Sequence, residues 1–295
     1  MRRFAACLAL AALLASCSAV RITYDNAEPL VRFAAHDYFD LDDAQNEQFR
    51  NRLAQFHRWH RRVELPAYAE LLDAAARRVE DGVDRGDVRW AAEAMRARYR
   101  VLVARAAEEA APILVTLTEP QLAELERRLE KANVKYAEEY VTGGTRTTHR
   151  ARLKRMLKRF EDWTGDLTDA QEARIERFVT EQAPFSALRL EDRRRAQRAA
   201  VSLLRGRRDA RSLAAGLTDL FAHAEAHRSA EYAAALARWE DGLADLVVDI
   251  DRTLSEEQRA RVARRMRRYA EDFRALSSAQ ALAGELPGFR LPQAT

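Results

Sequence analysis

The sequence predicts an all-α protein, an elongated helical bundle, and three observations lead to that prediction. Strong helix formers, chiefly Ala, Leu, Arg and Glu, dominate the composition, whereas the 295 residues include only 10 Gly and 7 Pro. A short motif, Leu-polar-x-x-Gln, occurs four times at positions where a capped helix would begin. No segment shows a convincing β-strand pattern.

The first segment, residues 1–16, is organised like a bacterial signal peptide. Arg2 and Arg3 form a positively charged start, and the apolar run that follows is too short for a stable membrane anchor. The run ends in Leu-Ala-Ser-Cys, which resembles a bacterial lipobox. We therefore expect the thiol of Cys17 to carry a diacylglyceryl anchor. An ordinary signal peptide that contains a cysteine by chance is the alternative.

The residues around Cys17 also predict a location. Cys7 leaves with the signal peptide, so the mature chain would have no thiol for a disulfide, a nucleophile or a metal site. Ser18 follows the acylated cysteine, and in the sorting rule known for enteric bacteria an Asp at this position favours the inner membrane. The sequence therefore predicts an outer-membrane lipoprotein that faces the periplasm, held by two or three acyl chains.

The charge balance argues against nucleic-acid binding. The chain has 50 basic and 46 acidic residues, and its formal charge of +4 falls to +2 when Arg2 and Arg3 leave with the signal peptide. Only the residues at positions 131, 135, 154 and 158 are Lys. The excess of Arg over Lys therefore indicates the codon usage of a GC-rich genome, and no nucleic-acid partner is predicted.

The remaining elements follow in order. Residues 17–40 are predicted to form a lipidated tether, which would reach roughly 80 Å if fully extended, although its apolar residues favour packing of part of it. Pro66 is predicted to start a helix as a first-turn proline. Residues 277–295 predict a loose tail. The predicted helices span residues 42–62, 66–81, 87–114, 118–141, 147–163, 168–182, 185–205, 209–224, 229–251 and 255–276.

The repeated motif has a simple physical interpretation, the capping box. In Ser/Thr-x-x-Glu/Gln, each of the two side chains bonds a free backbone N–H of the other residue in the first helical turn. Asp42 and Ser255 replace Thr as the capping residue in the first and fourth copies. The motif residues are Leu41 and Gln45, Leu117, Thr118 and Gln121, Leu167, Thr168 and Gln171, and Leu254 and Gln258.

The spacing of the motifs indicates two related halves. The first two motifs start 76 residues apart and the last two 87 residues apart. The second helix of each pair ends alike, as KYAEEY at residues 135–140 and RYAEDF at residues 268–273. We therefore predict tandem halves over residues 41–163 and 167–276 that come from one duplicated helical unit. Chance similarity between helical segments is the alternative.

Leu-Thr-x-x-Gln at a helix start, twice in a unit of this size, is similar to the Spy/CpxP-type periplasmic proteins. That resemblance implies an all-helical fold and an ATP-independent chaperone or an inhibitor of stress signalling, which dimerises into a curved cradle. The present chain is about twice as long and lacks the Thr at two of the four positions. On this resemblance it would be a fused pseudo-dimer on a lipid anchor.

A second resemblance covers most of the mature chain. The segment FHRWHRRVELPAYAELL, with Trp59-His60-Arg61 and Glu64-Leu65-Pro66-x-Tyr68, resembles an uncharacterised family of proteobacterial lipoproteins, a family of unknown function. The resemblance implies a location and no activity.

The same segment holds the best candidate for chemistry. His57 and His60 are three residues apart on one helix face and Glu64 follows one turn later, a spacing that suits a metal, although no third strong ligand follows. The alternative, which we favour, is a buried junction where Trp59 and Tyr68 pack. Trp59, His60, Arg61, Glu64 and Tyr68 are then candidates for binding a partner.

Other polar clusters favour structural interpretations. His223 and His227 have metal-competent spacing but no supporting ligand, so a solvated or core-edge role is favoured. Residues 149–163 form a basic amphipathic helix that would suit an anionic membrane or an acidic client. Packing of its apolar face inward is favoured, and residues 191–198 are interpreted as a solvated face. No nucleophile elbow, phosphate loop or Cys–His pair is present, so no catalytic residue, metal or cofactor is predicted.

Together these patterns predict a non-enzymatic binding protein, chaperone-like or related to envelope stress, with unfolded or envelope proteins as clients. A structural or adaptor lipoprotein that docks a specific envelope partner through the Trp59/His60 region is the alternative. A metal-dependent enzyme at His57, His60 and Glu64 is the third and least favoured hypothesis. An exposed apolar concave surface would favour the first, and a groove at residues 57–68 the second.

Overall fold

The structure is a computed structural model that describes residues 21–285 apart from residues 22, 25, 144 and 207. The predicted signal peptide, Cys17, Ser18 and the end of the predicted tail lie outside these residues. The described part of the chain consists of helices and their connections, with no strand. The all-α prediction is therefore confirmed. None of the described helices is long and apolar enough to cross a membrane.

The helices follow one another with short connections. We number them in chain order, and between the second and third helix lies a π-helical turn, His60–Glu64. The helices are α1 Ala27–Phe39, α2 Asp43–Trp59, α3 Leu65–Asp81, α4 Arg85–Leu114, α5 Glu119–Tyr140, α6 Thr145–Thr164, α7 Asp169–Glu181, α8 Ser186–Arg205, α9 Ala210–Ala222, α10 Ala224–His227, α11 Ala230–Arg252 and α12 Glu256–Glu285.

Helix α1 occupies much of the segment that was predicted as a tether. Ala, Leu and Phe favour the helix, and Asp40 ends it in the left-handed conformation, with a φ of 46°. Ala35, Tyr38 and Phe39 pack against the core, which stabilises a helix that would be marginal alone. The packed helix makes the flexible link shorter than the fully extended reach of roughly 80 Å, as the apolar residues of the segment led us to expect.

Helices α2 and α3 form one continuous rod, which corrects the predicted break at residues 63–65. The N–H of Leu65 donates to the carbonyl oxygen of His60, five residues back, as a π-turn requires. In a regular α-helix the ring of Pro66 would clash with the carbonyl group four residues earlier. The wider π-turn relieves that clash, and Pro66 lies in the first turn of α3 without ending the rod.

Helix α12 is longer than predicted. It was expected to end at residue 276, but it continues to Glu285, into the segment predicted as a loose tail. The added sequence, SSAQALAGE, is rich in helix formers, and the two Pro residues that break helices come only later. The other predicted helices lie within a few residues of the observed bounds, and α10 is an additional short turn.

Two apolar cores hold the bundle together. The larger core joins α1, α2, α4, α5, α8 and α9 around Leu117, Leu122 and Ala111. The smaller core joins α6, α7 and α11 around Ile175, Phe178 and Leu246. Gly242 of α11 allows close approach to α7, because a Cβ atom there would lie 3.2 Å from the ring of Phe178 and closer still to Gln182.

The most extensive helix packing connects the two predicted halves. Helix α12 packs along α3, α9 packs along α4, and α8 packs along α5. An ion pair between Arg267 and Glu80, with Nη1 and Oε1 2.6 Å apart, supports the first of these contacts. An ion pair between Arg194 and Glu130 supports the third. Residues 41–163 and 167–276 therefore interlock and share their packing surfaces.

Candidate functional site

Each copy of the repeated motif places a buried glutamine at the start of a helix. The Oε1 atom of Gln171 accepts a hydrogen bond from the backbone N–H of Thr168, and Gln258 does the same for Ser255. Gln45 and Gln121 bond the backbone N–H groups of Asp42 and Thr118 in the same way. All four side chains are at most 9% exposed. The sequence predicted capping boxes at these positions, and the structure contains them.

The glutamines also bond each other in pairs, which the sequence did not reveal. The Nε2 atom of Gln121 donates to Oε1 of Gln45 at 2.7 Å, and the reverse bond is 3.4 Å long. Gln171 and Gln258 form the same reciprocal pair, with both distances at 3.1 Å. We call these the two glutamine pairs. Each one joins two helix starts that are far apart in sequence.

Two threonines complete the pairs in matching ways. Gln45 Nε2 donates to Oγ1 and to the carbonyl oxygen of Thr116, and Gln171 Nε2 donates to the same two atoms of Thr253. Sequence reasoning missed these threonines. The available signal was the Thr that stands directly before the motif leucine in both the second and fourth copies.

The π-turn carries the aromatic cluster predicted as a buried junction or partner site. The ring of Tyr24, from the tether, stacks on His57 with centroids 4.8 Å apart, and its hydroxyl group bonds Nδ1 of His60 at 2.7 Å. Trp59 and Tyr68 flank His60 through edge contacts. The structure therefore brings the predicted residues together, and the chain's own tether covers them.

Charged groups fix the position of this cluster. Arg61 lies over the ring of Tyr24, with 5.1 Å between its guanidinium carbon and the ring centroid. Arg21 forms an ion pair with the buried carboxylate of Asp272 on α12, with Nε and Oδ1 2.7 Å apart. The tether is thus clamped between the π-turn and α12. Burial, reinforced by the nearby His57, lowers the pKa of His60 to about 4, so its imidazole is neutral at neutral pH.

Glu64 forms an ion pair with an arginine of a neighbouring helix. Its carboxylate is fully buried and lies 3.4 Å from the guanidinium group of Arg98 on α4. Burial, together with the neighbouring carboxylate of Glu64, raises the pKa of Tyr68 to about 12. Among the residues that the structure describes, no group of three or more His, Cys, Asp or Glu side chains is arranged to hold a metal.

The second histidine pair lies on the surface. His227 Nε2 is 3.0 Å from Oδ2 of Asp219, and His223 is 3.9 Å from the other oxygen of the same carboxylate. All three side chains are exposed. This placement corresponds to the solvated role that the sequence favoured.

The basic amphipathic segment, residues 149–163, lies within α6. Leu153, Met156, Leu157 and Phe160 pack against the smaller core, as the favoured interpretation expected. Its other residues were expected simply to face water. Instead, Arg152, Arg155 and Arg159 line a polar cavity of about 440 Å³, and an apolar cavity of about 350 Å³ lies beside it. Sequence reasoning missed both cavities, because both need Trp239 of α11 and the apolar cavity also needs residues of α12.

Comparison with known protein families shows a match. The model of DUF6279, described as a family of unknown function, matches residues 37–233. The match includes the π-turn and the first three motif copies. No curated protein and no solved structure matches the chain. The predicted membership of an uncharacterised family is confirmed, and the match carries no statement about a lipid anchor or about the Spy/CpxP-type proteins.

Proposed function

The chain belongs to DUF6279, a family of unknown function, and we propose from its own geometry that it is a lipid-anchored binding protein of the bacterial envelope. On this proposal it is an outer-membrane lipoprotein that faces the periplasm, acts without catalysis and binds partly unfolded or envelope proteins in a chaperone-like manner. The observation that carries the binding proposal is the set of large apolar side chains that α1 and α4 leave exposed.

On α1 these side chains lie in the segment that follows the proposed anchor in the sequence. Leu30 and Phe33 are 62% and 74% exposed, although Ala35 and Phe39 of the same helix pack inward. Arg21, which the clamp with Asp272 holds in place, is only four positions after Cys17, so the anchor would lie within about 14 Å of the body. Helix α1 would then face the membrane surface or a client held there.

On α4 the exposed side chains form a second apolar strip. Met95 and Tyr99 are 65% and 50% exposed and lie one helical turn apart on the same face. Methionine is unbranched and adapts to irregular partners, which suits a surface that binds several clients weakly. The motif glutamines, by contrast, are buried in their pairs and would contribute to the fold only.

The client-binding proposal is tested by light scattering. A form that starts at Ser18 keeps every described residue, and we expect it to suppress the aggregation of several unrelated proteins without ATP. The variant with Met95→Gln and Tyr99→Gln should suppress it less, whereas Val134→Gln, a similar change at an exposed position on α5, should act like the wild type. No suppression of any client would overturn the chaperone-like proposal.

The anchor is tested separately in cells. We expect radiolabelled palmitate to label the wild-type protein and not Cys17→Ala, and we expect the label to fractionate with the outer membrane. Wild-type protein that takes up no palmitate would exclude a lipid anchor and leave the question of client binding open.

The second candidate, an adaptor that docks a specific partner through the π-turn, rests on the clustering of Trp59, His60 and Tyr68. Because Tyr24 covers this cluster, a partner would have to bind beside the tether or replace it. Cross-linking in cells with wild type and Tyr24→Ala distinguishes these cases. One reproducible envelope partner whose yield rises in Tyr24→Ala would support the adaptor, and an unchanged background pattern in both would exclude it.

We also propose that the two halves form a fused pseudo-dimer. The matching hydrogen bonds of the two glutamine pairs support this proposal. The reciprocal packing of α5 on α8 and of α12 on α3 supports it too. In each half, the helix that begins at the second motif copy therefore packs on the other half. Its partner there is the helix that follows the one beginning at the first motif copy.

A further inference from the structure

The two cavities beside α6 share a wall. Met156, Arg159 and Trp239 line both of them. The apolar cavity, of about 350 Å³, falls within the range of about 300–1,000 Å³ that is typical of ligand pockets. Of the shared side chains, Met156 is flexible enough to move aside for a ligand that occupies both spaces.

Apart from Arg159, which also lines the neighbouring cavity, the apolar cavity offers little for a polar ligand to bond. Most of its wall consists of aromatic and aliphatic side chains, including Phe160, Trp163, Leu243, Ile250 and Val262. The hydroxyl group of Thr164 donates to the carbonyl oxygen of Phe160. The carboxylate of Asp251 accepts hydrogen bonds from Arg259 and from the backbone N–H of Val83. Since the polar groups of Thr164 and Asp251 are already bonded, the cavity suits an alkyl chain.

The neighbouring cavity is strongly basic. Arg152, Arg155, Arg159 and Arg189 line it, and none of the described residues in its wall is Asp or Glu. None of these four guanidinium groups forms an ion pair with a carboxylate in the described part of the chain, although most other ion pairs of the protein use Arg. Burial and the adjacent charge of Arg155 lower the pKa of Arg152, the sign of cations held together without a counter-ion.

Existing contacts hold the arginines in position. Arg152 Nη2 donates to the carbonyl oxygen of Gln182 at 2.8 Å, and the guanidinium group of Arg155 lies over the ring of Tyr140. These contacts leave other N–H groups of both side chains available. Guanidinium groups bind phosphate and carboxylate in forked geometry, so the cluster is suited to an anionic head group.

We propose that the two cavities form one binding site for an anionic amphiphile, with a single acyl chain in the apolar cavity and a phosphate or carboxylate head group among the arginines. The ligand class is a single-chain anionic lipid. This site goes beyond the proposed client binding and does not depend on it, because it uses neither the exposed side chains of α1 nor those of α4.

The test compares probes that share a tail or a head group. The form that starts at Ser18 is titrated with dodecyl phosphate below its critical micelle concentration, by calorimetry and by the fluorescence of Trp163 and Trp239. We expect one site per chain. Dodecyl maltoside, with the same tail and no charge, and inorganic phosphate, with no tail, should each bind at least about tenfold more weakly.

Variants assign the two parts of the site. The double variant Arg155→Gln with Arg189→Gln should bind dodecyl phosphate at least about tenfold more weakly than the wild type does. Its affinity for dodecyl maltoside should be unchanged. Val247→Trp, which fills the apolar cavity, should weaken the binding of both probes. Lys154→Gln removes an exposed charge from the same helix outside both cavities and should bind like the wild type. Thermal melts followed by circular dichroism confirm that each variant is folded.

Several outcomes would overturn the proposal. Equal affinity for dodecyl maltoside would mean an apolar cavity without head-group recognition, and equal affinity for phosphate would mean a simple anion site. Equal binding of hexaglutamate would assign the basic cavity to acidic peptides. A chain that binds dodecyl phosphate but suppresses no aggregation would separate this site from the client-binding function.

Discussion

At the scale of single residues, the glutamine pairs explain why the motif uses Gln at its last position. A capping box accepts Glu or Gln, because either side chain offers an oxygen to the cap N–H. Only the amide also donates. Its Nε2 atom reaches the neighbouring carbonyl oxygens, Asp166 for Gln258 and Asp40 for Gln121, and the partner amide. A buried carboxylate in this place would lose those bonds and face acceptor oxygens.

This reasoning predicts a large effect of a nearly isosteric change. Gln171→Glu removes the donor and buries a charge, so we expect a loss of about 2–4 kcal/mol of unfolding free energy in urea titrations. Gln55→Glu, the same change at an exposed position of α2, should stay within about 0.5 kcal/mol of the wild type. Equal, small effects at both positions would refute a structural role for the pair.

The lowered pKa of His60 predicts a loss of stability in acid. The unfolded chain binds a proton near the ordinary pKa of His, whereas the native chain binds it only at about 4. Stability should therefore fall as the pH drops from about 6.5 towards 4, because only the unfolded state gains the proton. Melting curves across this range should show the fall in wild type and a flatter profile in His60→Gln. His223→Gln, an exposed control, should keep the wild-type slope; a steep profile in His60→Gln would contradict the assignment.

At the scale of elements, few contacts hold the tether in place, whereas the helix that follows it, α1, packs on the core. Arg21 and Tyr24 hold the tether to α12 and the π-turn, whereas α1 packs on the core through Tyr38 and Phe39. Removal of the clamp should thus free the tether without releasing α1.

The corresponding variant combines Arg21→Ala with Tyr24→Ala. We expect faster limited proteolysis near residues 21–26 and an unchanged rate within α1, as read by mass spectrometry. Arg32→Ala, at an exposed position of α1, serves as the control and should be cut like the wild type. Cleavage spreading through residues 27–39 in the double variant would mean that α1 depends on the clamp.

The elements also show what a sequence can and cannot predict here. The helix starts at Asp42, Thr118, Thr168 and Ser255 were predictable, since a capping box involves only four consecutive residues. The π-turn was not, because Pro66 is typical of a helix start and only the packed structure shows the rod continuing through it. The glutamine pairs and the cavities beside α6 depend on contacts between helices from distant parts of the chain. Local sequence patterns contain no information on such long-range contacts.

At the scale of the whole molecule, interlocked halves predict a specific failure on separation. The fragments 18–165 and 166–295 would each lose a packing partner, since α3 and α12, α4 and α9, and α5 and α8 would be divided between them. We expect neither fragment alone to melt cooperatively, because each would expose apolar surface that the other covers.

Mixing the fragments should restore the fold. We expect a one-to-one complex in size-exclusion chromatography with a cooperative melt close to that of the intact chain. The intact chain cleaved by an inserted protease site between residues 165 and 166 is the control for the cut itself. Two fragments that fold separately as stable monomers would show that the halves are independent domains.

The clamp between Arg21 and Asp272 has a consequence for the order of synthesis. These residues are 251 positions apart, so the first described residue of the chain is secured by one of the last helices to be made. A nascent chain that still lacks α12 lacks Asp272, the carboxylate that pairs with Arg21, and also lacks the helix that packs most extensively on α3. Contacts of such long range form late. The leading end therefore stays loose until synthesis is nearly complete, and a prematurely terminated chain would reveal itself by an unsecured N-terminus that proteases can cut.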